Sequence, residues 1–234
     1  IDFLDKKIKN KYEIVIIPNG CKDKTVEKIK KISNKHKQVR YFDLGKIGDK
    51  GIAIIKGFEL AQGDLIGFVD ADLSTSPESF YELVVKIKDN DGIIGSRWHR
   101  KSKINKRQPI ARVVASRSFN FLVRSILGLR FNDTQCGLKL FIKKAVKTVG
   151  PKLGITRWGF DIDLLYLMKK NGFKVIEVPT AWNESGDSHL NLKRTVPEMF
   201  LSIARLRLIY SPLKVIIKLY DLLPEKMTFK RWIK

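Results

Sequence analysis

Cysteine, histidine and long apolar runs are scarce in this chain. Cys21 and Cys136 are its two cysteines, and neither sits in a C-x-x-C pattern. This argues against a disulfide framework, a thiolate zinc site and a redox pair, and it points to a reducing compartment. His36, His99 and His189 are scattered, so no histidine-built metal centre is expected. No apolar run approaches the roughly 20 residues that span a bilayer, and no stretch reads as a signal peptide. Neither G-x-G-x-x-G nor a P-loop occurs, which removes support for Rossmann-type cofactor binding and for ATPase activity. Repeats and low-complexity linkers are absent too. At 234 residues the chain is expected to build one sizeable core with at most a small appendage. It opens on Ile1 rather than Met, so a segment upstream is expected.

Negative charge is the other shortage. The formal net charge is +22, and from Arg97 to Arg130 there are ten Lys/Arg and no Asp/Glu. From Lys193 to Lys234, ten Lys/Arg face Glu198, Asp221 and Glu225. Such a surface seeks polyanions: nucleic acid, anionic lipid headgroups or phosphorylated substrates. A Lys-rich composition of thermophile type would account for the Lys22–Lys37 cluster but not for the acid-free stretch. A nucleic-acid-binding module is one reading, yet no RNA- or DNA-binding signature is present. Acidic clusters also interrupt the basic segments, which suits a metal site better than a phosphate-backbone track.

The first hundred residues alternate strand and helix. Tyr12–Ile17 reads as a strand stopped by Pro18-Asn19-Gly20, followed by a helix capped by Asp23 or Thr25. Val39–Phe42 is a short strand, Gly45–Gly51 a glycine-rich loop, Ile52–Ala61 a helix and Leu65–Val69 a strand. Ser76-Pro77-Glu78 opens a helix with Ser at the cap and Pro first, and Gly92–Gly95 is a strand. This pattern predicts an α/β fold with a mostly parallel sheet flanked by helices, and ligands at strand carboxyl ends. Beyond it, helices are expected over Ile110–Leu127 and Phe160–Asn171, and strands over Cys136–Ile142 and Lys174–Trp182. Thr195-Val196-Pro197-Glu198 fits a capping box. Leu213–Leu223 reads either as an interfacial amphipathic helix or as one packed on the core.

The chemistry centres on Asp70-Ala71-Asp72, at the end of the apolar run Leu65–Val69. Carboxylates two residues apart on an extended segment point to one side. Two hard oxygen ligands beside an open loop suit Mg2+ or Mn2+, with substrate phosphates completing the shell. The plain structural alternative is a polar strand end capping the next turn. Lys46–Gly51 could offer backbone N–H groups and a lysine to a phosphate. Asp133 precedes a strand, and Asp161 and Asp163 stand at a helix start, where capping is the simpler role. Arg97, Arg112 and Arg117 could clamp a phosphate through paired N–H donors or form a solvated basic face.

The order N-G-x-x-D, K-G, D-A-D, G-S-R, S-R-x-x-N, D-T-Q-C-G-L-K, W-G-F-D-I-D and W-N-E-S-G-D-S-H-L resembles the family 2 glycosyltransferases. These have the nucleotide-sugar-binding GT-A fold. Within them the resemblance is strongest to dolichyl-phosphate β-glucosyltransferases, then to dolichyl-phosphate mannose synthases. It covers about residues 12–210, and D-T-Q-C-G-x-K is its specific part. It implies that Asp70, Ala71 and Asp72 seat the donor diphosphate, the two aspartates holding Mg2+ or Mn2+. Asn19, Asp23 and Lys50 fall where the family binds the nucleotide. Arg97, Arg112, Arg117 and His189 fall where it engages the acceptor phosphate, His189 replacing a common Lys. Asp133 takes the place of a catalytic carboxylate, expected to act mainly in positioning and electrostatics. Asp161 lines the site. Asn19 replaces a common Asp; its carbonyl suits uracil N3–H better than guanine's paired donors, favouring UDP over GDP.

The strand with a P-x-x-N-E motif that opens relatives is absent, which reads as a truncation. The resemblance thus implies a GT-A catalytic domain over residues 1–195 and basic amphipathic helices over 196–234. It implies inverting transfer of a hexose, glucose first, from a UDP-sugar to polyprenyl (dolichyl) phosphate. The enzyme would sit peripherally on the cytoplasmic face of an anionic membrane. A GDP-mannose-dependent synthase is the runner-up, and a catalytically dead partner protein of the same fold is a further alternative.

Overall fold

The expected alternation is present in the first hundred residues: α1 (Asp2–Ile8), β1 (Ile14–Ile16), α2 (Thr25–Lys35), β2 (Val39–Tyr41), α3 (Lys50–Leu60), β3 (Leu65–Val69), α4 (Pro77–Lys86) and β4 (Gly92–Ser96). There follow β5 (Lys103–Ile104), α5 (Ile110–Leu127), β6 (Leu138–Ile142), α6 (Lys143–Val149), α7 (Phe160–Lys170), β7 (Val175–Pro179), β8 (Ala181–Trp182) and α8 (Leu192–Ile209). These come from a computed structural model that describes residues 1–8, 11–105, 109–154, 159–183 and 192–215. Helix ends follow local chemistry. Ser76 accepts from Ser79 N–H with Pro77 in the first turn, and Asp49 accepts from Ile52 N–H at the start of α3. Gly128, at φ 64°, ends α5 in the left-handed conformation that glycine adopts without a Cβ clash.

The central sheet has the order β3-β6-β4-β7. β4 and β7 pair in parallel, whereas β6 runs antiparallel to both β3 and β4. Three strands therefore share a direction and one opposes them. The reversal has a cause in the connection. The excursion through β5 and α5 leaves from the carboxyl end of β4 and returns there, since Arg97 N–H bonds Asp133 across it. The next strand must then run back. Helices cover both faces. One core packs Phe119, Val123 and Leu127 of α5 with Phe160, Leu164 and Met168 of α7 and Ile203 and Leu206 of α8. The other packs Leu83 and Ile87 at α4 against Ile93, Leu138 and Leu140.

β1 and β2 form a separate parallel ladder. Glu13, at the entry to β1, accepts from the N–H groups of Gln62 and Gly63 just before β3. At the other end Gly20 packs on Gly48, and Lys50 bonds Asp70. β1 and β3 thus flank α3 in the same direction, yet no ladder joins them among the described residues. Apolar Leu65 and Val69 of β3 are 37% and 47% exposed.

Three expectations change. The strand Lys174–Trp182 divides at Thr180 into β7 and β8, which join different ladders. α8 begins at Leu192 and runs through Pro197, so Thr195 does not open it and the boundary at 195/196 falls inside this helix. α1, a short charged helix, was not expected; Phe3 seats it edge-on against Tyr81 of α4, ring centroids 6.1 Å apart. The expected helix Leu213–Leu223 lies largely outside the described residues. Among those described, no helix is long and apolar enough to cross a membrane.

Candidate functional site

The candidate residues gather at the carboxyl ends of β1, β3 and β4 and the entry to β6. Asp70 N–H bonds Gly137 O at 3.1 Å, tying the end of β3 to that entry. Its carboxylate packs on Gly137 so closely that a Cβ there would lie within 2.7 Å of even the farther oxygen. Glycine at 137 is therefore a condition for Asp70 to sit where it does. Lys50 Nζ meets Asp70 Oδ1 at 2.6 Å. Burial disfavours the Lys50 charge, but the carboxylates of Asp161 and Asp70 outweigh it and hold the ammonium above its ordinary pKa. Asp72 Oδ1 accepts from Ser74 N–H at 3.0 Å, so it caps the following turn as well as facing solvent. Leu73 between them has φ 60° and is 84% exposed. A branched residue held there stores strain of order 1–3 kcal/mol.

Asn19 and Asp23 lie on the loop after β1, which Gly20 N–H fastens to Gly45 O at 2.8 Å. This brings them beside the Lys46–Gly51 loop. Asn19 Nδ2 donates to Ile17 O at 3.3 Å. Asp23 accepts from Thr25 N–H at 3.0 Å, and hydrogen bonds from the Thr25 side chain and N–H hold its carboxyl below the usual range; α2 itself is capped by Lys24, with no side-chain cap bond, and not by Asp23 or Thr25 as expected.

On the other side of β3, Asp133 is fully buried, and Arg97 binds it through Nε (2.7 Å), an Nη (2.9 Å) and the backbone N–H (3.0 Å). Burial alone would raise its pKa; the Arg97 guanidinium and its hydrogen bonds reverse this and hold it low. A carboxylate so engaged suits orienting Arg97 and does not suit accepting a proton. Arg97 also faces the Trp182 ring at 5.0 Å, and Arg117 faces Trp98 at 5.2 Å. Ser74 Oγ, Thr75 Oγ1 and Trp98 Nε1 are buried without a hydrogen-bond partner among the described residues, flanking Asp72 and Arg97. Unpaired buried polar atoms are rare in proteins, and here they border the candidate site.

Beneath these lies an ion pair in the core. Lys139 Nζ, inside β6, meets Asp161 Oδ1 and Cys136 O, both at 2.6 Å. Its ammonium stands 5.4 Å from the centre of the Phe68 ring, and that of Lys50 stands 5.9 Å from it. Asp163, by contrast, is structural: it accepts from Gly154 N–H and Tyr210 OH. Burial pushes the Cys136 thiol up to about 12, so it is no nucleophile.

The structure thus brings Asn19, Asp23, Lys50, Asp70, Ala71 and Asp72 to one end of the sheet, with Arg97, Asp133 and Asp161 adjoining. Arg117 sits at the margin, on α5. Arg112, half-buried near the start of α5, donates its N–H to Pro109 O. His189 lies outside the described residues. Sequence reasoning passed over Lys139, although a lysine inside the apolar strand Leu138–Ile142 was a signal. It also passed over Glu177, which accepts from the N–H groups of Asn132 and Asp133 and shapes their loop.

The donor set fits a divalent cation of the Mg2+ or Mn2+ kind. Asp72 is exposed and the Asp70 side chain is 26% exposed, so both carboxylates are reachable. Two carboxylates alone would leave most of such an ion's shell to phosphate and water; no cluster of three or more His, Cys, Asp or Glu occurs among the described residues. A hollow of about 900 Å3 lies at the far end, by Glu13, Arg40 and Gln62, and holds none of the candidate residues.

An α/β sheet with one reversed strand and an acidic pair at the end of β3 is the GT-A glycosyltransferase architecture. Solved structures share it. Glucosyl-3-phosphoglycerate synthase of Mycobacterium tuberculosis, in complex with Mn2+, UDP and phosphoglyceric acid, superposes with a TM-score of 0.60 at 16% identity, over 86% of this chain and 69% of that one. The mannosyltransferase PcManGT of Pyrobaculum calidifontis, with GDP-Man and Mn2+, gives 0.55 at 15% identity, over 90% and 61%. The model of glycosyl transferase family 2 matches residues 2–150, and the chain belongs to that family. A dolichyl-phosphate beta-glucosyltransferase of Trichomonas vaginalis is 35% identical over 77% of this chain and 56% of its own length. One of Dictyostelium discoideum is 32% identical over 90% of this chain and 68% of its own. The chain therefore spans a little over half of the first of these relatives and about two thirds of the second.

Proposed function

We propose that this chain carries the catalytic site of an inverting transferase moving a hexose, glucose first, from a UDP-sugar to polyprenyl (dolichyl) phosphate. The observation that carries the reading is the juxtaposition of the Lys50–Asp70–Asp72 end of β3 with the Arg97–Asp133 pair, in a chain whose relatives are dolichyl-phosphate beta-glucosyltransferases. Asp70 and Asp72 hold the divalent ion, which when bound supplies Lewis-acid stabilisation of the departing diphosphate. Lys50 orients Asp70. Asn19, with its N–H turned to Ile17, keeps its amide oxygen for the uracil N3–H.

The acceptor phosphate oxygen bonds the anomeric carbon from the face opposite UDP. The bond from that carbon to the β-phosphate oxygen breaks, and UDP leaves with the electron pair. The second pKa of a phosphomonoester is about 6, so the acceptor is already a dianion near neutral pH and no strong base is needed. Asp133, locked to Arg97, then serves to aim that guanidinium at the acceptor. The acid-free Arg97–Arg130 stretch supports a peripheral site on an anionic membrane, at its cytoplasmic face.

The test is transfer of labelled glucose from UDP-glucose to a polyprenyl phosphate, read by extraction of label into organic solvent. Label in the lipid fraction, lost in Asp70→Ala/Asp72→Ala, supports the reading. Label from GDP-mannose alone replaces it with the mannose synthase.

A further inference from the structure

The two oxygens of Asp70 are placed differently. Oδ2 is the one pressed hardest on Gly137, nearest to where a Cβ would stand on that residue. Oδ1 carries the Lys50 ammonium at 2.6 Å. The oxygen less confined by Gly137 is thus already taken by a cation. On Asp72, Oδ1 is engaged by Ser74 N–H at 3.0 Å. Two cations set beside one carboxylate repel each other, and strongly where water is partly excluded. Lys50 and a divalent ion therefore compete for Asp70. Lys50 can leave while Asp70 stays. The Lys50 side chain is 41% exposed, so it has room to turn. An ion pair this exposed contributes little to stability, and parting it is easy. Asp70 has two contacts that do not involve Lys50: its N–H bonds Gly137 O at 3.1 Å, and its carboxylate packs on Gly137.

A released ammonium needs a new anion. Asp161, the other carboxylate that acts on Lys50, has its Oδ1 bound by Lys139 at 2.6 Å. The anion that arrives with the donor is its diphosphate. We propose that Lys50 is the counter-ion of Asp70 before the donor binds and passes to the donor diphosphate when the divalent ion takes Asp70, so that metal and nucleotide bind cooperatively. Asp70 exchanges one cation for another and Lys50 one anion for another, and neither charge is left alone. Metal without nucleotide must displace Lys50 with no partner to receive it. Nucleotide without metal finds Lys50 held by Asp70. The coupling is reciprocal: the factor by which UDP tightens Mn2+ is the factor by which Mn2+ tightens UDP. This deepens the donor reading of the preceding subsection and rests on it.

The experiment is titration of Mn2+ into the protein, with free Mn2+ read by electron paramagnetic resonance, with and without UDP. It is run on the parent, Lys50→Met and Lys50→Met/Asp70→Asn. Methionine keeps most of the length and apolar body of lysine without the charge. In the parent, UDP tightens Mn2+ by about tenfold, within the usual range of coupling between sites. Lys50→Met binds Mn2+ alone about tenfold more tightly than the parent, the lower end of what one neighbouring charge does to a carboxylate's affinity for a proton. Its affinity for UDP at saturating Mn2+ falls by about the same factor, because the coupling is lost. The two affinities move in opposite directions. A lysine that only held Asp70 in place would, on removal, weaken both. Adding Asp70→Asn abolishes the gain in Mn2+ affinity. Equal or weaker Mn2+ binding by Lys50→Met, in a parent that binds Mn2+ and UDP, overturns the proposal and leaves the donor reading standing. So does a parent whose Mn2+ affinity UDP leaves unchanged, or a gain that survives Asp70→Asn. Binding of neither Mn2+ nor UDP by the parent and Lys50→Met alike overturns the donor reading and this proposal with it.

Discussion

Lys139→Met isolates the buried ion pair. Lys139 is fully buried and the Asp161 side chain is 7% exposed, with 2.6 Å between Nζ and Oδ1. Removing the ammonium leaves a carboxylate in the core without its partner, a change worth about 3–5 kcal/mol. Domains are stable by about 5–15 kcal/mol, so this is a large fraction of the whole. At 2–4 °C per kcal/mol for a chain of this size, the melting temperature falls by roughly 6–20 °C. Removing both charges is a different matter. Lys139→Met/Asp161→Leu replaces a desolvated pair with apolar groups and recovers most of the loss. The internal control is Lys86–Glu82, also 2.6 Å apart but with side chains 44% and 55% exposed. Such surface pairs contribute about 0–1 kcal/mol. The assay is thermal and urea unfolding of Lys139→Met, Lys139→Met/Asp161→Leu and the control Lys86→Met. A loss below about 1 kcal/mol in Lys139→Met, or a double variant no better than the single, would refute the claim that this pair is an uncompensated charge once split.

Gly137→Ala drives a methyl group into the Asp70 carboxylate, so UDP-glucose affinity falls by at least about tenfold, while Gly154→Ala, with open space at its Cβ, is neutral by the same titration. Asp133 has a folded pKa below its unfolded value of about 3.9, so its contribution is fully present above that pH and is lost as pH falls through the lower folded value. Acid-unfolding curves should therefore show a smaller loss below about pH 4 in Asp133→Asn, which is also less stable at pH 7; parallel curves would contradict the pairing. Iodoacetamide near pH 8 should modify exposed Cys21 alone in the native protein and Cys136 only on unfolding, since that thiol is buried and pushed up to about 12. Two equivalents without denaturant would mean that the strand β6 face opens.

Elements governed by local chemistry were legible. Ile110–Leu127 has the bounds expected of it because its apolar spacing and Gly128 are both in the sequence, and Ser76-Pro77 starts α4 as a cap and first-turn proline should. Leu65–Val69 was equally plain. Long-range geometry was not. The reversed direction of β6 follows from where the α5 excursion returns, which no local pattern records. β5 and β8 are two residues each, too short for a period to show. In the site, Asp70 and Lys50 could be named from their loops, but not that they would bond each other. Asp133 and Arg97 were read as separate functions, a carboxylate and a phosphate clamp. Their contact spans 36 residues and makes them one unit.

The most direct measurement is calorimetric titration of UDP-glucose and GDP-mannose into the protein with Mn2+, repeated on Asp70→Ala/Asp72→Ala. The expected result is metal-dependent binding of UDP-glucose that the double variant loses, with GDP-mannose weaker. Unchanged binding in the double variant, or binding of neither donor by the parent, would contradict it.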